Sequence, residues 1–287
     1  MKRKIVLLLT LTLALVFVAA CAGPAPTQAP DPQPPDPQAP EAGTVLEPAV
    51  TIRIGASSVP HSVILEYIRD DLAQQGVLLD IVEFADFIMV NPALHDGQID
   101  ANYFQHMPFL ENWMADSGNT LTPVVYVHIE PMSIYSAQLT DLSQVPEGGS
   151  VAIPNDAVNG GRALSVLQSA GFLTLPDGIG IRGTITDIVE NPLNLTFMEL
   201  EAPIVPVALG EVDIAVINTN FALEVGLNPM RDALFMEDHD SPFANLLVTR
   251  PENANDEAIQ ILAAALVTEQ VREFILERFE GAVIPAF

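Results

Sequence analysis

Charged and amide side chains stand at several predicted strand ends, where they could hold a small zwitterion. In AIPNDAVNGGRAL a strand ends near Ile153, a glycine-rich turn follows, and Arg162 falls in the first turn of the next predicted helix. A helix N-terminus with a guanidinium beside it can clamp a carboxylate in a bidentate fork. The alternative is an ordinary turn with a surface arginine. The G-x-G-x-x-G spacing of a dinucleotide-binding fold is absent.

Amide side chains follow the same pattern in two further stretches. Asn218 and Asn220 come directly after the predicted buried strand of VDIAVINTNFALEVG, and Asn245 leads into a strand in SPFANLLV. Open α/β sheets bind ligands beyond the carboxyl ends of their strands, and an amide offers a zwitterion both a donor and an acceptor. Helix capping is the alternative role of the first two residues, and Asn245 could be a loop amide.

The stretch YFQHMPFLENW, residues 103–113, crowds aromatic rings among polar groups, beginning with Tyr103. Phe104 and His106 stand two residues apart, so on a strand both side chains face the same way. Phe84 and Phe87 lie a little upstream. Rings of this kind, with a few polar atoms, are suited to walling a pocket for a small amphipathic ligand. Core packing is the alternative for each single ring.

Composition argues against several other functions. The chain of 287 residues has a net charge of −26, which repels the phosphates of nucleic acids. Both lysines lie within the first four residues, which excludes P-loop and Schiff-base chemistry from the body of the chain. G-x-S-x-G and H-E-x-x-H are absent, and the histidines lack metal-ligand spacing. We therefore predict no catalytic residue, no cofactor and no metal.

The N-terminal segment reads as an export signal and a tether. Residues 1–20 combine the basic MKRK with a short apolar run, and VAAC resembles a bacterial lipobox in which Cys21 is lipidated. An ordinary signal peptide with a chance cysteine is the alternative. Residues 24–48 hold nine prolines and cannot bury a core. Residues 21–49 are therefore predicted to form an extended tether, or a disordered tail with no spacing role.

Strands alternate with helices from residue 50 onwards, which predicts an α/β protein with mostly parallel sheets. VTIRIGA, LLDIVEF, LTPVVYVHI, GSVAIP and LTFMEL read as strands. Helices are predicted near 63–75, 88–96 and 107–117, and two more across 256–280. Two such runs, with an ending that could rejoin the first, suggest two lobes with a cleft.

Several long motifs in one order resemble a known family. They are DGQIDANYFQHMPFLENW, VHIEPMSIYS, VAIPNDAVNGGRAL, VDIAVINTNFALEVGL, DSPFANLLVTR and the terminal GAVIPAF. From about residue 51 to the C-terminus the chain resembles the methionine-binding lipoproteins of bacterial ABC importers, the MetQ/NlpA type. The resemblance implies a type II periplasmic-binding-protein fold, in which two α/β lobes are joined by two crossover strands. It places lobe 1 at 50–132 plus 243–287, and lobe 2 at 133–242.

The resemblance also implies a function. The chain would capture methionine between its lobes and deliver it to an ABC permease and ATPase, from a lipid anchor on the extracytoplasmic side of the cell membrane. Binding of another amino acid, or of a short methionine-containing dipeptide, is the alternative. An extracytoplasmic enzyme or a surface adhesin on the same scaffold is a third reading.

Specific residues match the family motifs. Arg162 matches the arginine that binds the ligand carboxylate, and Asn218 and Asn245 match the amides that bind the amino-acid backbone. Phe104 and His106 match the FQH pocket motif. A further position differs, because the chain reads DFIMVN, with Phe87, where many relatives read DYVQPN. The missing hydroxyl removes a hydrogen bond worth about 0.5–1.5 kcal/mol, which bears on ligand identity.

Overall fold

The computed structural model describes residues 46–238 and 242–287, so the predicted signal segment, Cys21 and most of the tether lie outside it. The strands of these residues are β1 (Val50–Ala56), β2 (Val77–Glu83), β3 (Ala101–His106), β4 (Thr122–Ile129), β5 (Ser133–Tyr135), β6 (Ser150–Pro154), β7 (Thr196–Leu200), β8 (Ile214–Ile217), β9 (Phe235–Met236), β10 (Ala244–Thr249) and β11 (Ile284–Pro285). The helices are α1 (Val63–Gln74), α2 (Val90–His95), α3 (Met107–Ser117), α4 (Ala157–Ser169), α5 (Thr219–Glu224), α6 (Pro229–Asp232), α7 (Glu257–Leu266) and α8 (Glu269–Phe279). No helix within the described ranges is long and apolar enough to cross a bilayer.

Two sheets organise the fold, each with apolar clusters on both faces. The first has the strand order β11-β4-β10-β3-β1-β2, with α1, α7 and α8 packed on one face and α2 and α3 on the other. The second has the order β7-β6-β8-β5-β9, with α4 on one face and α5 on the other. These are the two α/β lobes that the sequence predicts. The exact lobe boundaries stay a prediction.

The prediction of mostly parallel sheets is wrong, because both sheets are mixed. In the first sheet β1 runs parallel to β2 and β3, but β10 lies antiparallel between β3 and β4. In the second, β6 runs parallel to β7 and β8, but β5 is antiparallel to β8 and β9. The chain leaves the first lobe after β4 and returns through β10, and a returning strand inserted beside its exit strand pairs antiparallel with it.

The two connections between the lobes run side by side. The outgoing one joins β4 to β5 through Glu130 and Met132, and the returning one leaves β9 at Glu237. The Glu237 N–H donates to the Met132 carbonyl at 3.0 Å. This pair of neighbouring crossovers is the feature that the resemblance to the type II binding-protein fold implied.

Helix α1 shows how local sequence defines an element. Its buried residues Ile64, Leu65, Ile68 and Leu72 recur at helical spacing and enter the core of the first lobe. The chain then turns at Gly76, whose φ is +78°, and a Cβ there would come within 2.2 Å of the Leu46 carbonyl oxygen. Only glycine fits this turn.

Helix α4 begins earlier than the sequence predicts. The sequence places Arg162 in its first turn, but the helix starts at Ala157, so Arg162 is its sixth residue and lies beyond that turn. Asp156 caps the helix by accepting a hydrogen bond from the Asn159 N–H. The glycines do not form a ligand-binding turn. A Cβ on Gly161 would lie 1.9 Å from the carbonyl oxygen of Ile181, so close helix packing requires glycine there.

Candidate functional site

A cavity opens between elements of the two sheets, with ≈ 350 Å³ of empty space that includes space open to solvent. Six predicted site residues line it: Phe87, Phe104, His106, Arg162, Asn218 and Asn245. Asn220, the second amide after β8, lines it as well. Residues more than 150 positions apart in the sequence therefore meet at one site.

Tyr103 and Phe84 do not line this cavity, although the sequence analysis placed them in the site. Tyr103 alternates with Phe104 along β3 and so points to the opposite face, where its hydroxyl donates to Nδ1 of the buried His128. Phe84 follows β2 and packs against Gly55 in the core of the first lobe. Both are core residues in this structure.

The first sheet brings three polar residues together at one edge of the cavity. In the strand register Asn245 on β10 lies opposite His106 on β3 and His128 on β4. Nδ1 of His106 accepts a hydrogen bond from the Phe109 N–H at 3.3 Å, which caps α3. Burial, and secondarily the charge of Arg162, lowers the pKa of His106 to about 3. The ring is therefore neutral near pH 7.

Arg162 is 3% exposed, and its guanidinium reaches both connections between the lobes. Nη2 donates to the Glu130 carbonyl at 2.8 Å, and Nε and Nη2 both contact the carboxylate of Glu237, at 3.1 and 2.6 Å to Oε2. The guanidinium carbon lies 3.9 Å from the centre of the Phe243 ring. The arginine is thus held on several sides while it still lines the cavity.

The amides of the second lobe form a chain that ends at the cavity. The carboxylate of Asp156 accepts from Asn159 Nδ2 at 3.1 Å, and Asn159 Oδ1 accepts from Asn218 Nδ2 at 2.9 Å. Asn218 Oδ1 and Asn220 Nδ2 are buried and have no hydrogen-bond partner among the described residues. Because a buried polar group without a partner costs about 1–3 kcal/mol, these two atoms are the free donor and acceptor of the site.

The amides of the first lobe behave differently. Gln105 lines the cavity, but its side chain is engaged behind the wall. Its Oε1 accepts from Asn91 Nδ2 at 2.8 Å, and its Nε2 donates to Asn91 Oδ1 at 2.7 Å and to Asn102 Oδ1 at 3.0 Å. Asn102 Nδ2 donates to Asn91 Oδ1 at 2.9 Å. The three side chains form a closed hydrogen-bonded triangle.

Glu130 joins the cavity to a buried histidine pair. Its carboxylate accepts from Nε2 of His128 at 2.8 Å, and His61 donates from Nε2 to Asn245 Oδ1 at 3.0 Å. Nδ1 of His61 accepts from the Ser57 hydroxyl at 2.6 Å. Burial lowers the pKa of His61 to about 4 and that of His128 to about 3, and burial raises the pKa of Glu130.

The sequence spacing did not reveal this cluster. The histidine and carboxylate atoms lie within 4.8 Å of one another, which is close enough to hold a metal ion. Each ring nitrogen of His61 and His128, however, already has a protein hydrogen-bond partner. The donor set therefore fits a hydrogen-bonded support for Asn245 and Glu130 better than a metal centre.

Aromatic rings form the remaining wall of the cavity. Phe87 has ring-centre distances of 5.9 Å to Phe104, 5.9 Å to Phe109 and 4.9 Å to Phe221. Phe221 belongs to α5 of the second lobe, so this ring contact crosses from one lobe to the other. Phe87 is thus surrounded by apolar rings.

Several lining residues were not singled out from the sequence, namely Gln105, Phe109, Glu130, Asn159 and Thr219. Signals for most of them were present. Gln105 and Phe109 belong to the aromatic stretch, and Asn159 belongs to the turn before Arg162. Glu130 follows a predicted strand, but a single acidic residue among 37 carried no distinguishing pattern.

Two α/β lobes, two adjacent crossovers and a partly apolar cavity with unpaired amide atoms define a two-lobed solute-binding protein. The family model for NlpA lipoprotein matches residues 52–287, and the chain belongs to this family of lipoproteins. It is a family of binding proteins, as the sequence analysis predicted in expecting no enzyme.

Named relatives agree with this assignment. The chain is 38% identical over 237 residues to the D-methionine-binding lipoprotein MetQ of Escherichia coli K12, covering 82% of this chain and 86% of that one. It is similar to a nutrient-binding protein from Burkholderia cenocepacia solved bound to methionine, with a TM-score of 0.80, 35% identity, and coverage of 82% and 100%. A crystal structure of the methionine-binding protein MetQ matches with a TM-score of 0.80 and 36% identity, covering 83% and 98%.

Proposed function

We propose that this protein captures methionine in the cavity between its lobes and delivers it to an ABC importer. The observation that carries the proposal is a pair of buried atoms, Asn218 Oδ1 and Asn220 Nδ2, which have no partner in the part of the chain that the structure describes and belong to residues lining the same cavity as Arg162. A free acceptor, a free donor and a cation are what the ammonium and carboxylate of an amino acid require. The methionine-binding names of the relatives support this choice of ligand.

Different polar residues would bind the carboxylate and the ammonium of the ligand. Arg162 faces the carboxylate, and Asn220 Nδ2 adds a donor to it. Asn218 Oδ1 accepts from the ammonium, and the carboxylate of Glu130 is the acidic group that lines the same cavity. Asn245 and His106 line the cavity on the side of the first lobe. Each contact would give a hydrogen-bond partner to a buried polar group, which without one costs free energy.

The aromatic wall accounts for the side chain of methionine. Phe87, Phe104 and Phe109 surround one end of the cavity with ring edges and faces. A thioether gains about 0.3–1.5 kcal/mol from each sulfur–aromatic contact. A ligand with a charged or strongly polar side chain would leave that group unsatisfied against the three rings.

We also propose a membrane anchor for this protein and a permease with its ATPase as its partners. A lipid on Cys21 would hold the domain at the extracytoplasmic face of the cell membrane, and the proline-rich residues 21–49 would let it reach a permease with its ATPase. Lobe 1, at 50–132 plus 243–287, and lobe 2, at 133–242, would close on the ligand like a hinge. The membership in a lipoprotein family supports the anchor.

A thermal-shift screen followed by calorimetry tests the proposal. The mature chain without its lipid is screened against the common amino acids, both methionine enantiomers and glycyl-methionine. Methionine is expected to raise the melting temperature most, because a ligand that binds only the folded state stabilises it more the tighter it binds. A larger rise in melting temperature with another amino acid or with the dipeptide would identify the alternative ligand. No rise with any of these compounds would contradict the proposed function.

A further inference from the structure

Glu237 lies outside the cavity lining, yet it makes the closest contacts of the ligand-facing arginine. Its carboxylate oxygens lie 3.2 and 3.1 Å from Nε of Arg162, and Oε2 lies 2.6 Å from Nη2. Both contacts use the same edge of the guanidinium. Among the described residues no hydrogen bond reaches Nη1. The Nε/Nη2 edge, through which a guanidinium can bind a carboxylate in a bidentate fork, is thus already occupied by the protein itself.

Glu237 is also fixed from behind. Its Oε2 accepts from the Met132 N–H at 3.2 Å, and its own N–H donates to the Met132 carbonyl at 3.0 Å. Glu237 therefore joins the returning connection to the outgoing one through both backbone and side chain. Arg162 adds a bond from Nη2 to the Glu130 carbonyl on the outgoing connection. The guanidinium is held against both connections between the lobes.

We propose that Glu237 is a positioning residue for ligand binding, which sets the guanidinium of Arg162 so that Nη1 faces the ligand carboxylate. The inference rests on the proposed function and adds a residue to it. An arginine side chain has many rotamers, and ordering it at the moment of binding costs free energy. A carboxylate that holds Nε and Nη2 beforehand removes that cost.

A different role for Glu237 predicts the opposite change in ligand affinity when its charge is removed. If Glu237 only neutralised the charge of Arg162, removing its charge would strengthen the attraction for an anionic ligand. If Glu237 positions the guanidinium, removing its charge frees the side chain and weakens binding of that same ligand. The direction of the change therefore separates the two roles.

The experiment measures the affinity of the wild-type protein and of Glu237→Gln for methionine and for methioninamide by calorimetry. The amide keeps the thioether and the ammonium but lacks the negative charge. The preference for methionine over methioninamide is expected to fall about tenfold in Glu237→Gln, the scale of one charge-assisted hydrogen bond. An unchanged preference, or a rise, would overturn the inference.

A matched control removes the same charge elsewhere in the second lobe. Asp232 is partly buried, contacts the exposed Arg231 at 2.7 Å and does not line the cavity, so Asp232→Asn should leave the preference unchanged. If the wild-type protein binds methionine and Glu237→Gln keeps the same preference for methionine over methioninamide, only the positioning role of Glu237 is contradicted. Wild-type protein that binds no methionine removes the proposed function as well.

A second measurement needs no variant and decides the matter if Glu237→Gln does not fold. In a crystal structure of the wild-type protein with methionine, Nε and Nη2 of Arg162 should remain on Glu237 and the ligand carboxylate should contact Nη1. A ligand carboxylate on the Nε edge, with Glu237 displaced, would show that Glu237 is a competitor for the site and would overturn the positioning role.

Discussion

Apart from Asn245, whose Oδ1 accepts from His61, each lobe presents three buried amide-bearing side chains at or behind the cavity, and the two sets differ in how their hydrogen bonds are used. In the first lobe Asn91, Asn102 and Gln105 bond to one another in a closed triangle. In the second lobe the corresponding set is Asn159, Asn218 and Asn220, and it leaves one acceptor and one donor unpaired among the described residues. Under the proposed function, the same residue types would therefore serve stability on one side and ligand binding on the other.

The physical reason lies in the cost of burial. A saturated polar network is rigid and gains nothing from a ligand, whereas an unpaired buried atom is stabilised by any ligand that supplies its partner. The first lobe also holds a separate hydrogen-bonded group around the neutral His61 and His128, whereas the unpaired amides of the second lobe line the same cavity as Arg162. Changes in the first lobe should thus alter the free energy of unfolding, and changes in the second should alter affinity.

Acidification should produce the largest effect, and it should act on the first lobe. The pKa is lowered to about 4 for His61 and to about 3 for His106 and His128, below the 6.5 of an unfolded chain. The unfolded state therefore binds protons first, so stability present above pH 6.5 is lost as the pH falls towards 3–4. Each histidine contributes on the order of 3 kcal/mol, because every tenfold loss of proton affinity on folding corresponds to about 1.4 kcal/mol.

Urea unfolding at pH 7.0, 5.5 and 4.5 checks this prediction. The raised pKa of Glu130 and Asp156 acts in the opposite sense, because a buried carboxyl that protonates more readily in the folded state adds stability as the pH falls. His128→Gln should flatten the profile. A free energy of unfolding that is independent of pH over this range would contradict the neutral, buried state of the histidines.

Arg162→Ala should have the largest effect on affinity. Loss of a buried, hydrogen-bonded charge costs about 2–5 kcal/mol, so affinity for methionine should fall at least ~30-fold. Calorimetry measures the loss, and thermal unfolding of the ligand-free variant checks the fold. The control is Arg231→Ala, which removes an exposed guanidinium of the same lobe and should leave affinity unchanged. Wild-type affinity in Arg162→Ala would remove this arginine from the site.

Asn91→Ala tests the saturated triangle. The substitution leaves donors of Asn102 and Gln105 without a partner, so the free energy of unfolding should fall by about 2 kcal/mol. Methionine affinity should stay within about threefold of wild type, because Asn91 is fully buried behind the wall. Urea titration and calorimetry on the same preparation separate the two quantities. If Asn91→Ala lowers methionine affinity without changing the free energy of unfolding, the first-lobe amides serve binding and not stability.

Asn220→Ala is the matched change in the second lobe. It removes a buried donor that has no partner among the described residues, so stability should change by less than about 0.5 kcal/mol. Affinity for methionine should drop about tenfold, since a hydrogen bond to a charged carboxylate is lost. If the variant is instead destabilised with its affinity intact, the unpaired atom is not a ligand contact.

Phe87→Tyr should have the smallest effect. The substitution adds a hydroxyl, and one further hydrogen bond near the ligand would raise methionine affinity by about threefold. The surrounding rings of Phe104, Phe109 and Phe221 limit the room for it. A change in the ranking of amino-acid ligands, measured by thermal shift, would show that this position sets specificity.

Much of the fold was predictable because it depends on local patterns. The spacing of Ile64, Ile68 and Leu72 predicts α1, and the run VTIRIGA predicts β1 at the residues where it lies. The start of α4 was misplaced because its glycines read as a turn, whereas Gly161 is needed for packing against a carbonyl about 20 residues away in sequence. Sheet direction was also misjudged, since the return of the chain through β10 has no local signal.

The sequence by itself determined the chemical types available for the site: a scarce arginine, amides after buried strands, and rings on one face of β3. Only the tertiary structure decided how each is used. Arg162 meets Glu237, 75 residues along the chain, Tyr103 turns away to His128, and two amide atoms of the cavity-lining residues stay unpaired within the described ranges. Local periodicity fixes which side of an element is buried, but hydrogen-bond saturation depends on partners that only folding brings within about 3 Å.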